Sequence, residues 1–181
     1  MARVSLIKDE FLTHVTKLTD RIRGRRRGSL INVYRALLHS PPLAETWFDH
    51  MNAVRWDTGL DGRLREILII RIACLNDAEY VMRQHVPKLA EAEGLTVAEC
   101  DALGDWRGTD RFSEAERAAL AFADAMTRDV AVPDAVYDEL SRHFDDRAVV
   151  ELAVLIGSYN MSSRVLVALK VDLEPVENQG I

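Results

Sequence analysis

The sequence predicts an all-α fold. Three observations carry that prediction. Apolar residues recur at helical spacing in one segment after another, the intervals between segments hold helix caps, and no stretch keeps the alternation of a strand bounded by hairpin signals. The 181 residues suit one domain, and 48% apolar against 29% charged residues is a balance that fills a core and keeps the outside wet. The reading is a single helical domain over 1–174 with a basic loop at 21–28, then a flexible tail over 175–181 containing Gly180.

Along the chain, Phe11, Leu12, Val15 and Leu18 form the first helical stripe. Gly24 and Gly28 bracket an arginine run, Arg21, Arg23, Arg25, Arg26 and Arg27, which reads as a loop. A short helix follows over about 30–38. Ser40-Pro41-Pro42 then supplies a serine cap and prolines where a missing N–H costs nothing, opening a helix with Leu43, Trp47, Met51 and Val54 on one side. Asp61 is placed to cap the next helix, which carries Glu66 and the apolar run Ile67 to Leu75. Asn76-Asp77 interrupts it, and Asp77 is expected to cap a helix bearing Tyr80 and His85, which Pro87 then breaks. Gly94 reads as a C′ residue. Thr96…Glu99 and Ser113…Glu116 are capping-box patterns, Pro133 opens a short helix to about His143, and Asp145 or Asp146 starts a long one ending near Lys170.

Several function classes are disfavoured. A net charge of −6 and a single basic cluster argue against nucleic acid as the partner. Residues 1–20 mix charged and apolar positions, so no leader is expected, and the run Ile67 to Leu75, interrupted by Arg71, is too short to cross a bilayer. The two cysteines, Cys74 and Cys100, do not form a CxxC pair or suggest a disulfide scaffold, and the cytoplasm is the expected compartment. His14, His39, His50, His85 and His143 form neither HxH nor HExxH, so no metal is expected, and no glycine-rich phosphate loop points to a nucleotide cofactor. Trp47, Trp56 and Trp106 read as core or interface residues.

The zone from Asp61 to Ala90 holds the chemistry. Glu66 stands where a helix turns almost wholly apolar, a place where a carboxylate is desolvated and suited to proton transfer. If consecutive helices fold back at Asn76-Asp77, positions 66 and 85 meet. A carboxylate that orients an imidazole is sufficient for general acid–base work. The plainer alternative is a helix-start glutamate paired with Arg63 or Arg65 and a histidine satisfied in the core.

These residues resemble the carboxymuconolactone decarboxylase and alkylhydroperoxidase D-like superfamily. Its hydroperoxidase pattern is Glu-x11-Cys-x2-Cys-x3-His; counted from Glu66, the histidine falls on His85, but the cysteine positions are Ala78 and Val81. Arg63 ahead of Glu66, Pro87 and Ala90 after the histidine, the stretch from Gly24 through Asn32-Val33-Tyr34-Arg35, and Glu151-Leu152…Tyr159-Asn160-Met161…Arg164 look like a long-form branch. The resemblance implies an alkylhydroperoxidase D-like helical bundle, usually a homo-oligomer (trimer or hexamer), acting on a small molecule. With no thiol pair, peroxide reduction of the family type is disfavoured. Many decarboxylase-like members place a glutamate four residues before the histidine, where this chain has Val81. What remains is a cofactor-independent lyase or isomerase for a small organic acid or lactone, with Glu66 and His85 catalytic and Tyr80 binding substrate through its hydroxyl. A peroxidase using Cys74 or Cys100, and a non-catalytic ligand-binding or assembly protein, are the alternatives.

Two further features have competing readings. The cadence Asp61-Gly62-Arg63…Glu66-Ile67 returns as Asp145-Asp146-Arg147…Glu151-Leu152, either as convergent helix-start chemistry or as a duplicated helical hairpin. The arginine run either binds an anionic substrate or a neighbouring subunit, or is solvated and ties the chain's arm to its own acidic body.

Overall fold

A computed structural model describes residues 1–26 and 28–175. Arg27 and residues 176–181, which include most of the expected tail, lie outside the described residues. Among the described residues the regular structure is entirely helical. The helices are α1 (Thr16–Arg25), α2 (Asn32–Leu37), α3 (Pro41–Trp56), α4 (Gly62–Leu75), α5 (Glu79–His85), α6 (Lys88–Ala92), α7 (Val97–Ala102), α8 (Glu114–Arg128), α9 (Asp134–Ser141) and α10 (Asp146–Leu169), with short 3-10 turns before α1 and after α7.

Helix α4 forms the centre. Every residue from Leu64 to Ala73 is buried, as expected of a helix apolar nearly all round. It packs against α5, α8 and α10, whose own apolar faces close the core: Ala119, Leu120 and Ala123 from α8; Leu152, Leu155 and Ile156 from α10. Two arginines serve as struts in this packing. Arg71 reaches α8 with Nε 2.6 Å and Nη2 3.0 Å from the two Asp124 oxygens, and its Nη1 donates to the carbonyls of Leu103 and Gly104. Arg63 pairs with Glu99 at 2.6 Å and Glu116 at 2.8 Å. Those glutamates also complete the capping boxes of α7 and α8, so the same carboxylates start two helices and dock them on α4.

The caps behave largely as the sequence predicts. Asp61 accepts from the Leu64 N–H, Asp145 from the Ala148 N–H, and Gly94 takes a positive φ of 81° just past α6. Three expectations are corrected. Asp77 does not cap α5; it adopts φ 50°, turning the chain between α4 and α5, and Ala78 precedes the helix without a side-chain cap bond. Residues Arg21 to Arg25 are helical, the C-terminal half of α1, because Leu18 and Ile22 anchor one face in the core and leave the arginines on the others. Phe11, expected in the first apolar stripe, is 62% exposed, since the turns before α1 bury Leu12 instead. The Asp-x-Arg cadences also diverge: Glu66 is fully buried, whereas Glu151 accepts from the Gly59 N–H and pairs with Arg147 near the surface.

Helix α10 is long and apolar enough by composition to span a membrane, but half of its apolar stretch is buried in this fold. Its outer side leaves Val150, Val154, Met161 and Val167 exposed.

Candidate functional site

The turn at Asn76–Asp77 folds α5 back along α4 and brings together the two residues the sequence singled out. His85 Nδ1 lies 2.5 Å from Glu66 Oε2, with both side chains buried. Burial raises the Glu66 pKa, but His85, Arg55 and Arg65 outweigh it, and the carboxyl sits below its usual range. Burial lowers the His85 pKa; Glu66 opposes this, Arg55 and Arg26 add to it, and the net shift is downward. The pair at neutral pH is therefore an ionised carboxylate and a neutral imidazole. The imidazole donates Nδ1–H to Glu66, which fixes its tautomer and leaves the Nε2 lone pair for other work. Among the described residues Nε2 has no hydrogen-bond partner, and His85 lines a cavity.

That cavity measures about 70 Å³ and is walled by Val33, Trp47, Met51, Val81, Tyr159 and Leu166, together with polar groups of Arg26, Arg55, Gln84 and Ser162. Tyr159 packs edge-on against the His85 ring at 5.7 Å and holds the imidazole plane. A wider recess of about 390 Å³ adjoins it; Arg26, Ile31, Arg55, Gln84 and Leu89 line both. Trp56, with the guanidinium groups of Arg55 at 4.6 Å and Arg65 at 5.1 Å from its ring, borders the outer recess. Of the three tryptophans only Trp106 is fully buried; Trp47 and Trp56 face these recesses.

Tyr80 is in the site by position, since its ring lines the inner cavity, but its hydroxyl is directed elsewhere. It donates to the Glu174 carboxylate and accepts from the Val33 N–H at 3.2 Å. Glu174 also accepts from Gln84 at 2.5 Å and from the Asn32 N–H at 2.8 Å. The segment after α10 is thus held against α2 and α5 as far as Glu174, the last residue before the expected flexible tail. Glu174 and Arg55 are the residues sequence reasoning missed. Arg55 offered one signal, a cation within an amphipathic helix beside Trp56; Glu174 offered none, because its partners lie far away in the chain.

Of the remaining candidates, Val81 and Arg26 line the inner cavity and Arg25 the outer recess, whereas Ala78, Cys74 and Cys100 line neither. Ala78 and Val81 occupy the positions of the redox cysteines, both buried. Cys74 is partly buried and Cys100 buried; burial pushes the Cys74 thiol up and the Cys100 thiol to about 11, so neither is a thiolate at neutral pH. Among the described residues no three His, Cys, Asp or Glu side chains converge to hold a metal ion. The arginine run divides: Arg21 pairs with Glu45 and Asp49, and Arg23 with Asp9, tying the arm to the body, whereas Arg25 and Arg26 line the recesses.

The chain matches the carboxymuconolactone decarboxylase family over residues 41–125, the stretch that contains Glu66 and His85. It is 35% identical over 113 residues to YnjA, an uncharacterized protein of Escherichia coli K12; the match covers 62% of each protein, under two thirds of that relative's length. Among solved structures, a protein of unknown function from Agrobacterium tumefaciens is 27% identical, with a TM-score of 0.71 over 76% of this chain and 94% of that one. A peroxidase-related protein from Silicibacter sp. TM1040 superposes over 99% of this chain and 94% of its own with a TM-score of 0.83; at 22% identity the likeness is one of fold.

Proposed function

Because this chain belongs to the carboxymuconolactone decarboxylase and alkylhydroperoxidase D-like superfamily, we propose that it is a cofactor-independent acid–base lyase or isomerase acting on a small organic acid or lactone. The observation that carries this reading is the His85–Glu66 contact, a neutral imidazole anchored through Nδ1 with Nε2 left for the cavity. In that state His85 enters the reaction as a base. Nε2 takes a proton from a carbon next to a carbonyl, and the C–H electron pair moves into the carbonyl to give an enolate. The imidazolium, stabilised by Glu66, then returns the proton to a different carbon, or a leaving group departs from the adjacent carbon. Either course begins with proton removal. Decarboxylation releases CO2 and only then protonates carbon, with no proton first taken from carbon, so it needs the imidazolium as the reacting form, and the neutral imidazole favours isomerisation or elimination.

The test is hydrogen–deuterium exchange by NMR across a panel of small unsaturated acids and lactones. The wild type is expected to wash deuterium into at least one of them. Glu66→Gln and His85→Ala should each lower the exchange rate by roughly 10²–10⁴-fold. Unchanged exchange in both variants rejects the assignment.

The second reading is ligand binding without turnover, favoured by the small inner cavity; binding with no exchange in any substrate would select it. Self-association as a trimer or hexamer is part of the proposal, supported by the exposed apolar side of α10, and light scattering tests it. A cytoplasmic setting and a small-molecule partner, with neither nucleic acid nor membrane, complete it.

A further inference from the structure

The recesses beside His85 carry a charge pattern that the acid–base pair does not require. The whole chain has a net charge of −6, yet among the described residues the outer recess is lined by Arg25, Arg26, Arg55 and Arg83 and by no acidic side chain. At its junction with the inner cavity stand Arg26 and Arg55. Arg55 is only 4% exposed, and its Nε and Nη2 have no hydrogen-bond partner among the described residues; nor does the buried Nε of Arg26. In the neighbouring acidic group, Glu66 Oε1 is 3.7 Å from Arg55 Nη2, beyond hydrogen-bond reach, so the ion pair leaves that edge of the guanidinium unbonded. Buried guanidinium N–H groups are costly to leave unmade. Nε and Nη2 form one edge of the planar guanidinium, the two-pronged donor that matches both oxygens of a carboxylate.

We infer that Arg55, assisted by Arg26, is a carboxylate-binding site at the junction of the two recesses. It holds an organic monocarboxylate with its anionic end on the Arg55 edge and its unsaturated carbon body in the inner cavity, against His85. The inference rests on the reading of His85 as the proton-transferring group for the orientation of the ligand, but not for its binding. Arg55 then has two tasks: its charge adds to the effect of His85 in holding Glu66 ionised, and its free edge selects substrates that bring a carboxylate. The apolar lining of the inner cavity by Val33, Met51, Val81 and Leu166 suits the carbon body.

The experiment is calorimetric titration of the intact protein with sorbate (a small conjugated monocarboxylate), with its uncharged amide and with inorganic phosphate. Binding is read alongside the His85 imidazole resonances. Saturable sorbate binding that shifts those resonances is expected, with the amide and phosphate weaker by about 10- to 100-fold. Arg55→Gln and Arg26→Gln should weaken sorbate binding, Arg55 by about 10- to 100-fold, and Arg55→Lys should recover part of the loss. His85→Ala should still bind sorbate. Thermal melting establishes that each variant is folded; if Arg55→Gln does not fold, Arg55→Lys and Arg26→Gln decide. No sorbate binding by the wild type, equal binding of acid and amide, tighter binding of phosphate, or undiminished sorbate binding by the folded arginine variants overturns the site. Those outcomes are independent of whether Glu66 and His85 exchange carbon-bound protons, so the two readings fail separately.

Discussion

Arg71 and Asp124 form a two-pronged ion pair inside the core, joining α4 to α8, and the same carboxylate accepts from the Trp106 indole N–H at 3.2 Å and from Arg107 at 2.6 Å. Every donor lost from this group leaves a buried charge short of partners. Asp124→Ala is therefore expected to destabilise the fold by roughly 3–5 kcal/mol, read as a shift of the urea midpoint at constant slope. The paired change Arg71→Met with Asp124→Leu should cost far less than the single one. Equal losses would show that the pair contributes by volume and not by charge.

The tautomer of His85 is a direct consequence of its contact with Glu66. Nitrogen NMR at neutral pH should find the proton on Nδ1 and a bare Nε2. Replacing Glu66 with Gln keeps the shape but removes the negative charge that favours imidazolium, and leaves Arg55 without its carboxylate partner. The His85 pKa should fall further in that variant. A rise would mean that Glu66 does not act on the imidazole.

The pH dependence follows from the directions of the two shifts. The His85 pKa is held below its ordinary value of 6.5, so as pH falls the unfolded chain takes up this proton before the folded one does. Stability therefore declines as pH falls below about 6.5, and activity that needs a neutral base falls at a lower pH, that of the folded group. Glu66 and Glu99 add a second acid limb. Both carboxyls lie below 4.5 in the fold, Glu99 at about 2 through Arg63 above all, so their stabilisation is present above 4.5 and is lost as pH drops from there. Melting temperatures between pH 4 and 8 check this; a protein equally stable at both ends would contradict it.

Tyr80 is expected to matter for stability more than for substrate. Its hydroxyl joins Glu174 to the Val33 N–H, and Tyr80→Phe should cost about 1–3 kcal/mol by leaving those groups short of a partner. KM should be little altered. A rise in KM without loss of stability would restore the hydroxyl to the substrate.

Thiol chemistry gives a negative prediction. With burial pushing up both thiols, Cys74→Ala with Cys100→Ala should leave proton exchange intact, and iodoacetamide should alkylate the folded protein slowly at pH 7. Loss of activity in the cysteine-free protein would favour the peroxidase reading.

What the sequence makes legible is local. Helix starts at Asp61, Thr96, Ser113 and Asp145 depend on contacts three residues away, and each is where its cap residue places it. The Glu66–His85 meeting needs only two helices and one turn. What escapes is set at long range. The arginine run reads as a loop because Gly24 and Gly28 bracket it, whereas Leu18 and Ile22 make Arg21 to Arg25 helical through a core assembled from elsewhere. Glu174 lies between Leu173 and Pro175, outside any helical stripe, and its partners Asn32, Tyr80 and Gln84 are scattered through the chain. Arg55 reads as an ordinary helix-surface cation until burial shows that its guanidinium edge has nothing to bind.

The separations of these contacts along the chain differ in a way that bears on how such proteins diversify. Glu66 and His85 are 19 positions apart, while Tyr80 and Glu174 are 94 apart. The acid–base geometry is thus written in one short hairpin, and insertions or exchanges beyond α5 leave its spacing untouched. The brace that Glu174 gives to Tyr80 and Gln84 is written separately and can drift on its own. Lineages of this fold are free to redraw the chamber around an inherited Glu–His unit.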